Sequence, residues 1–144
     1  MIAVDTNILV YAMRSDLRWH AEALACMNAL RQSASRWAIP WPVLHELFAT
    51  LTRPRRLNPP ASTSAALAYL QVLTEEPDCV LLHEGPSHFE LLRDLVTAGK
   101  IEGSQIHDAR IAAICLSHGV SELWSADRDF SRFPRLRVRN PLVS

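Results

Sequence analysis

Met1-Ile2-Ala3-Val4-Asp5-Thr6-Asn7-Ile8-Leu9-Val10-Tyr11-Ala12 opens the chain. Ile2, Ala3 and Val4 make the short apolar run that a strand buried on both faces requires, and the run stops at an acid, a hydroxyl and an amide before apolar residues resume. Asp5 is therefore expected at a strand's end. A carboxylate against a sheet core needs a compensating partner, because desolvating it alone is costly or leaves it protonated. No Lys or Arg precedes Arg14, so a distant basic residue or a metal ion would have to supply the charge. The competing reading is that Asp5 or Thr6 simply caps a helix beginning near Asn7.

The 144 residues fit one domain spanning residues 1–144, large enough to bury a core without disulfides or structural metal. No apolar run approaches the roughly 18 to 20 residues of a membrane span, and no basic segment precedes an apolar one at the N-terminus. A cytoplasmic protein with no membrane contact is expected. Cys26, Cys79 and Cys115 are widely spaced among apolar neighbours, as buried thiols are, which argues against a bridge or a zinc site. Formal charge is zero, so there is no global attraction to nucleic acid. The basic residues are nevertheless unevenly placed. Lys100 is the only lysine, and arginines gather in Arg53-Pro54-Arg55-Arg56 and at Arg128, Arg132, Arg135, Arg137 and Arg139. Guanidinium forks suit phosphate better than ammonium point charges do, although surface arginines are also ordinary solvated residues.

Beyond the first strand, Trp19 to Leu30 has the spacing of an amphipathic helix, with Ala23, Met27 and Leu30 on one stripe and Leu24 beside it. Trp37-Ala38-Ile39 reads as a strand closed by Pro40, and Pro42 suits the first turn of a helix whose buried face is Leu44, Leu47, Phe48 and Leu51. Glu46 lies at the edge of that stripe. Three prolines between Arg53 and Pro60 predict a stiff exposed loop. A helix follows from Ser62 or Thr63 towards Thr74, then a strand at Val80-Leu81-Leu82. Ser87 is expected to cap a helix holding Phe89, Leu92, Leu95 and Val96 and ending at Gly99. Ser104 is expected to cap a central helix through Leu116 that stops at His118-Gly119. Glu122 to Ser125 reads as a strand, Asp127 to Phe130 as a cap-like turn, and Leu136-Arg137-Val138 as an edge strand. Strands alternating with helices predict an α/β fold of three layers, with about five parallel strands flanked by helices.

In such folds ligands gather at the carboxyl ends of the strands. Asp5 and Asp127 follow strands directly, Glu46 follows the second strand by way of Pro42, and Asp108 lies near the start of the central helix. Two carboxylates about 4 Å apart repel by about 1 to 4 kcal/mol at effective dielectrics between about 80 and 20. Four such groups on one rim call for a cation. Their hard oxygen donors suit magnesium or manganese, and magnesium keeps waters that serve as nucleophiles, which implies hydrolysis. Helix N-termini near Asp108 and Glu46 are expected to favour the charged carboxylates. Each acid taken singly is better read as a cap or a solvated residue, but all four in this order are not. His45 and His107 neighbour site acids in sequence, but one residue along a helix turns the side chain by about 100° away, so both are expected outside the site. Trp19, Trp37, Trp41 and Trp124 can stack on bases, though core or interface packing suits them as well.

Val4-Asp5-Thr6-Asn7-Ile8-Leu9-Val10-Tyr11 and Ser125-Ala126-Asp127-Arg128-Asp129-Phe130, with Glu46 and Asp108-Ala109-Arg110-Ile111-Ala112-Ala113 between them, resemble the PIN-domain nucleases. Among these, the chain is similar to the short VapC toxins of bacterial toxin–antitoxin pairs. The resemblance covers essentially the whole chain. It implies a magnesium-dependent endoribonuclease, in which manganese can substitute. It further implies that the enzyme cuts structured RNA such as tRNA or rRNA, inhibits translation, forms a homodimer and is neutralised by a VapB-type antitoxin. Carried over by position, Asp5, Glu46, Asp108 and Asp127 match the acidic quartet, and Asp129 matches a more variable fifth acid. Thr6 or Asn7 would hold Asp5 or a water, and Ser125 stands where a small hydroxyl residue is usual. Arg53, Arg55 and Arg56 are candidates for gripping RNA phosphates. The helix beginning at Trp19 and the one carrying Glu46, with Trp41 nearby, are the expected walls of an antitoxin groove.

Two other classes compete. A receiver-like phosphoacceptor domain also groups aspartates at strand ends but needs a lysine at the phosphoryl site, for which Lys100 is poorly placed. A catalytically silent interaction module would use the same acids to dock an arginine. Metal-restored RNA cleavage by the partner-free chain, lost on Asp5→Asn, separates these readings.

Overall fold

The computed structural model describes residues 1–143. Each of the first three strands is followed by a pair of helices. The order is β1 (Ile2–Val4), α1 (Thr6–Met13), α2 (His20–Gln32), β2 (Trp37–Pro40), α3 (Trp41–Thr52), α4 (Thr63–Thr74), β3 (Cys79–Leu82), α5 (His88–Gly99), α6 (Ile106–Ser117), β4 (Glu122–Trp124) and β5 (Val138–Arg139). All strand pairs are parallel, and the sheet order is β3-β2-β1-β4-β5. In the centre, Ala3 stands opposite both Ala38 and Leu123, and Ala3 and Val4 are fully buried. That double burial is what an uninterrupted apolar triplet is for.

The chain runs outward from β1 through β2 to β3, then returns to the other side of β1 to place β4 and β5. The direction of winding therefore reverses between β1 and β4. In an open parallel sheet this reversal leaves a crevice beyond the carboxyl ends of the two strands, because their following segments diverge. Asp5 and Ser125 stand at the mouth of that crevice. The Asp5 amide donates to the Trp124 carbonyl at 2.9 Å, carrying the β1–β4 ladder up to its rim.

Several boundaries differ from the sequence reading for local reasons. Helix α1 begins at Thr6, one residue early, because the Asp5 side chain accepts from the Thr6 amide and acts as the N-cap. Ser104 does not cap α6. It lies inside a 3₁₀ turn over Gly103–Gln105, whose capping box is made by Glu102 and Gln105. Helix α5 includes Gly99, and Lys100, at φ +51°, takes the left-handed position after it. Leu136 belongs to the turn before the last strand, its amide donating to the Phe133 carbonyl, so β5 is only Val138–Arg139. Phe89 and Leu24, read as near a buried stripe, are 68% and 38% exposed. Cys115 is buried, Cys26 and Cys79 are half-buried, and all three are free thiols. Trp37 and Trp124 are core residues, while the Trp41 ring lies 6.1 Å from that of His45. No helix among the described residues is long and apolar enough to cross a membrane.

Candidate active site

Asp5 is buried, with both carboxylate oxygens engaged. Oδ1 accepts from the Thr6 amide at 2.8 Å; Oδ2 accepts from the Ser125 hydroxyl at 2.7 Å and from Asn7 Nδ2 at 3.3 Å. Ser125 Oγ in turn accepts from the Asp127 amide at 3.0 Å, and Asn7 Oδ1 accepts from the Ala126 amide at 3.0 Å. One hydroxyl and one carboxamide thus tie the segment after β4 to the segment after β1. The Asp127 side chain folds back to accept from the Asp129 amide at 2.9 Å, starting the 3₁₀ turn over Arg128–Arg132. Thr6 reaches the other way, its hydroxyl donating to Glu46 Oε2 at 3.1 Å. Glu46 sits in the second turn of α3, a helix that starts directly from β2 at Pro40.

Asp108, in the first turn of α6, completes the group. Carboxylate oxygens of Asp108, Asp127 and Asp129 lie within 4.8 Å of one another. The four acids read from the sequence therefore share one rim with the fifth. His45 and His107 are both exposed. Arg56 lines a groove of about 490 Å³ together with Thr6, Asn7, Glu46 and Asp127. Arg53 and Arg55 do not line it; they flank a separate shallow hollow with Pro54 and Arg56. The apolar part of the groove is Val10, Tyr11, Leu17 and Leu57, from α1, the α1–α2 connection and the loop after α3. Of the antitoxin-groove walls that the sequence reading expected, α3 lines this one through Glu46 and Thr50, whereas α2 and Trp41 do not. Arg14, which that reading did not single out, braces this region. It pairs with Asp16 at 2.8 Å and donates to the Pro59 carbonyl at 2.7 Å, joining the α1–α2 connection to the proline-rich loop.

Electrostatics mark the site as short of positive charge. Burial raises the Asp5 carboxyl to about 6; the hydrogen bonds from Ser125 and Thr6 oppose this, and the charges of Glu46 and Asp127 add to it. Asp108 is raised to about 7, first by burial and then by Asp127, Asp5, Glu46 and Asp129. The expectation that the helix N-terminus would keep Asp108 charged is opposed here, because burial first and the nearby acids second outweigh a dipole worth about 0.3–1 kcal/mol. Every ion pair among the described residues joins other acids: Asp16, Glu76, Asp94, Glu84 and Glu122. An all-carboxylate oxygen set with no basic side chain paired to it fits a hard divalent cation. Lys100, the candidate for a receiver-like lysine, lines a hollow with Glu102 and Arg132 that contains none of these acids.

A parallel sheet with a cluster of acids at its reversal point is shared by more than one class of domain, and comparison with known proteins selects the nuclease class. The chain belongs to the PIN-domain family, whose model matches residues 2–136. It is 36% identical over 142 residues to ribonuclease VapC43 of Mycobacterium tuberculosis, an alignment covering 99% of this chain and 96% of that protein. Among solved structures, its fold resembles VapBC2 from Rickettsia felis bound to a promoter DNA fragment, with a TM-score of 0.68, 21% identity and coverage of 96% and 98% of the two chains. It also resembles VapC20 from M. tuberculosis, described as a sarcin-ricin loop cleaving toxin, with a TM-score of 0.67, 20% identity and coverage of 91% and 93%.

Proposed function

We propose that the chain is a magnesium-dependent endoribonuclease toxin in which Asp5, Glu46, Asp108 and Asp127 hold the metal and Asp129 supports them. In this reading it cleaves structured RNA, tRNA or rRNA, in the cytoplasm and is neutralised by a VapB-type antitoxin. The observation that carries the reading is the convergence of these acids at the crevice between β1 and β4 with no basic side chain paired to them. Similarity to VapC ribonucleases over nearly the whole chain supports the choice of RNA as substrate.

When bound, magnesium would relieve the repulsion among the acids, polarise the phosphodiester and activate a water for in-line attack; manganese would serve likewise. The chain's own contribution is positional. Thr6, Asn7 and Ser125 fix the Asp5 carboxylate through three donors, which leaves about one of its four lone-pair sites for a cation. Ser125 also fixes the Asp127 backbone, so the two acids keep one mutual geometry. Thr6 holds Glu46 at the opposite edge. Arg56, in the groove beside Glu46 and Asp127, grips a phosphate of the strand being cut, while Arg53 and Arg55 add long-range attraction.

The antitoxin would place an arginine among the acids, with apolar residues of the same tail against Val10, Tyr11, Leu17 and Leu57. A homodimer belongs to the same reading, and the exposed Phe89 on α5 offers apolar surface for a second copy. The test is cleavage of purified tRNA and rRNA by the partner-free chain with magnesium, manganese or chelator, followed by sequencing of the new ends. Asp5→Asn and Asp127→Asn should abolish cleavage. Metal-independent cleavage, or none with either metal, would refute the reading.

A further inference from the structure

The turn carrying Asp127 separates two grooves. The first holds Glu46 and Arg56; the second, of about 640 Å³, shares Ala126 and Asp127 with it and is otherwise lined by different residues. Its chemistry is different. Phe130, Phe133 and Leu136, all buried, form the floor, and Pro134 and Val138 contribute to the sides. Asn140 lines it too, with Oδ1 engaged by the Leu142 amide at 3.0 Å, which leaves the Nδ2 donors for a ligand. Arg128 is exposed at the end nearest the acids.

An apolar floor disfavours a phosphate, which would lose hydration with little in return, and favours a planar group with apolar faces and a polar edge. A nucleobase has that form, and single-stranded RNA presents bases that can be splayed out and read at their edges. The volume falls within the roughly 300–1,000 Å³ of small-ligand clefts. Continuity with the acid cluster through Ala126 and Asp127 sets the groove one step from the reacting phosphate, and Arg128 supplies complementary charge for the adjoining backbone.

We infer that this second groove is a base-binding subsite for a nucleotide flanking the cleaved phosphodiester, with Asn140 donating to the base edge. This rests on the ribonuclease reading above, in which the strand crosses the Asp127 turn from one groove to the other. The test compares binding of a uridine decamer with binding of the same ribose–phosphate backbone lacking bases, using the full chain in chelator so that no RNA is cut. The wild type should prefer the decamer. Ser131→Leu, which fills the groove from an exposed position without adding an aromatic face, should lower that preference by about tenfold and leave backbone binding intact. Asn140→Asp, which keeps the acceptor for Leu142 and removes the donors, should lower the preference in the same direction. Arg56→Ala should weaken both RNAs alike. A preference unchanged in Ser131→Leu would overturn the inference while leaving the ribonuclease reading standing, and so would a dimer that this substitution converts to monomer without touching the preference. Failure of the wild type to bind either RNA would overturn both.

Discussion

Asp5 and Asp108 are both raised by burial, yet their oxygens meet different surroundings, and the difference predicts opposite responses to the same substitution. Asp5 accepts three hydrogen bonds, so Asp5→Asn turns an acceptor into a donor facing donors and should destabilise the protein. Asp108 is surrounded by other acids, so Asp108→Asn should leave the metal-free protein as stable or more stable while abolishing activity. The sign with pH follows. Folded-state values of about 6 and about 7 lie above the ordinary carboxyl value, so the folded state binds more protons than the unfolded one between them. This contribution to stability is complete below about pH 4, the unfolded carboxyl range, and lost as pH rises through 6 to 7. Denaturation in chelator from acid to neutral pH should show that decline, and Asp108→Asn should flatten its upper part. Thr6 offers a second test. Thr6→Val removes the donor to Glu46 and should cost about 10–100-fold in magnesium affinity or activity, whereas Thr6→Ser should restore it. The sequence named these polar residues from their place after an apolar triplet and from a family resemblance. It did not disclose that Ser125 serves Asp5 and Asp127 at once, because that depends on β1 and β4 being neighbours.

Helix α5 and the 3₁₀ turn after Asp127 meet at Gly99. A Cβ there would lie 3.0 Å from the Arg132 carbonyl and 3.2 Å from Ile101 Cδ1, and Arg132 Nη1 already donates to the Gly99 carbonyl at 3.3 Å. The sequence suggested a glycine ending a helix, yet the residue that takes the positive φ is Lys100, and Gly99 is required for close approach instead. Gly99→Ala should therefore cost about 1–2 kcal/mol net of the better helix propensity, read by urea denaturation, and should disturb Asp129 before Asp5. The arginine loop divides in a similar way. Arg56→Ala should lower the salt slope of RNA binding by about 0.7, the value for one single-strand phosphate contact, and Arg53→Ala with Arg55→Ala should change it less. Element order was readable because apolar runs and helical stripes alternate cleanly. The α6 start was misplaced because Ser104 has a capper's side chain, whereas the Glu102–Gln105 pair caps a 3₁₀ turn that leads into α6 without a further side-chain cap. The Asn140 groove had no local signal at all: its residues belong to a turn and an edge strand, and only packing places them beside Asp127.

For the molecule entire, magnesium and the antitoxin should compete for one negative cluster. Magnesium at 100 times its dissociation constant should add about 2.7 kcal/mol to stability in the wild type and little in Asp108→Asn. With antitoxin bound, calorimetry should show that gain reduced while the complex stays associated through the apolar part of the groove. The fold also dictates when such a site can exist. Asp5 and Ser125 are 120 residues apart in sequence, and their hydrogen bond requires β4 to lie against β1. A nascent chain that has exposed β1 to β3 and their helices already has much of its core, but the acids at positions 127 and 129 have not yet been added and Asp5 lacks its hydroxyl partner. Until β4 docks on β1, the Asp5–Ser125 hydrogen bond cannot form, and on the ribonuclease reading the acid cluster stays incomplete. Chains stalled on the ribosome before Ser125 should therefore cut no RNA with any metal, while the folded chain that carries β4 and the acids after it should.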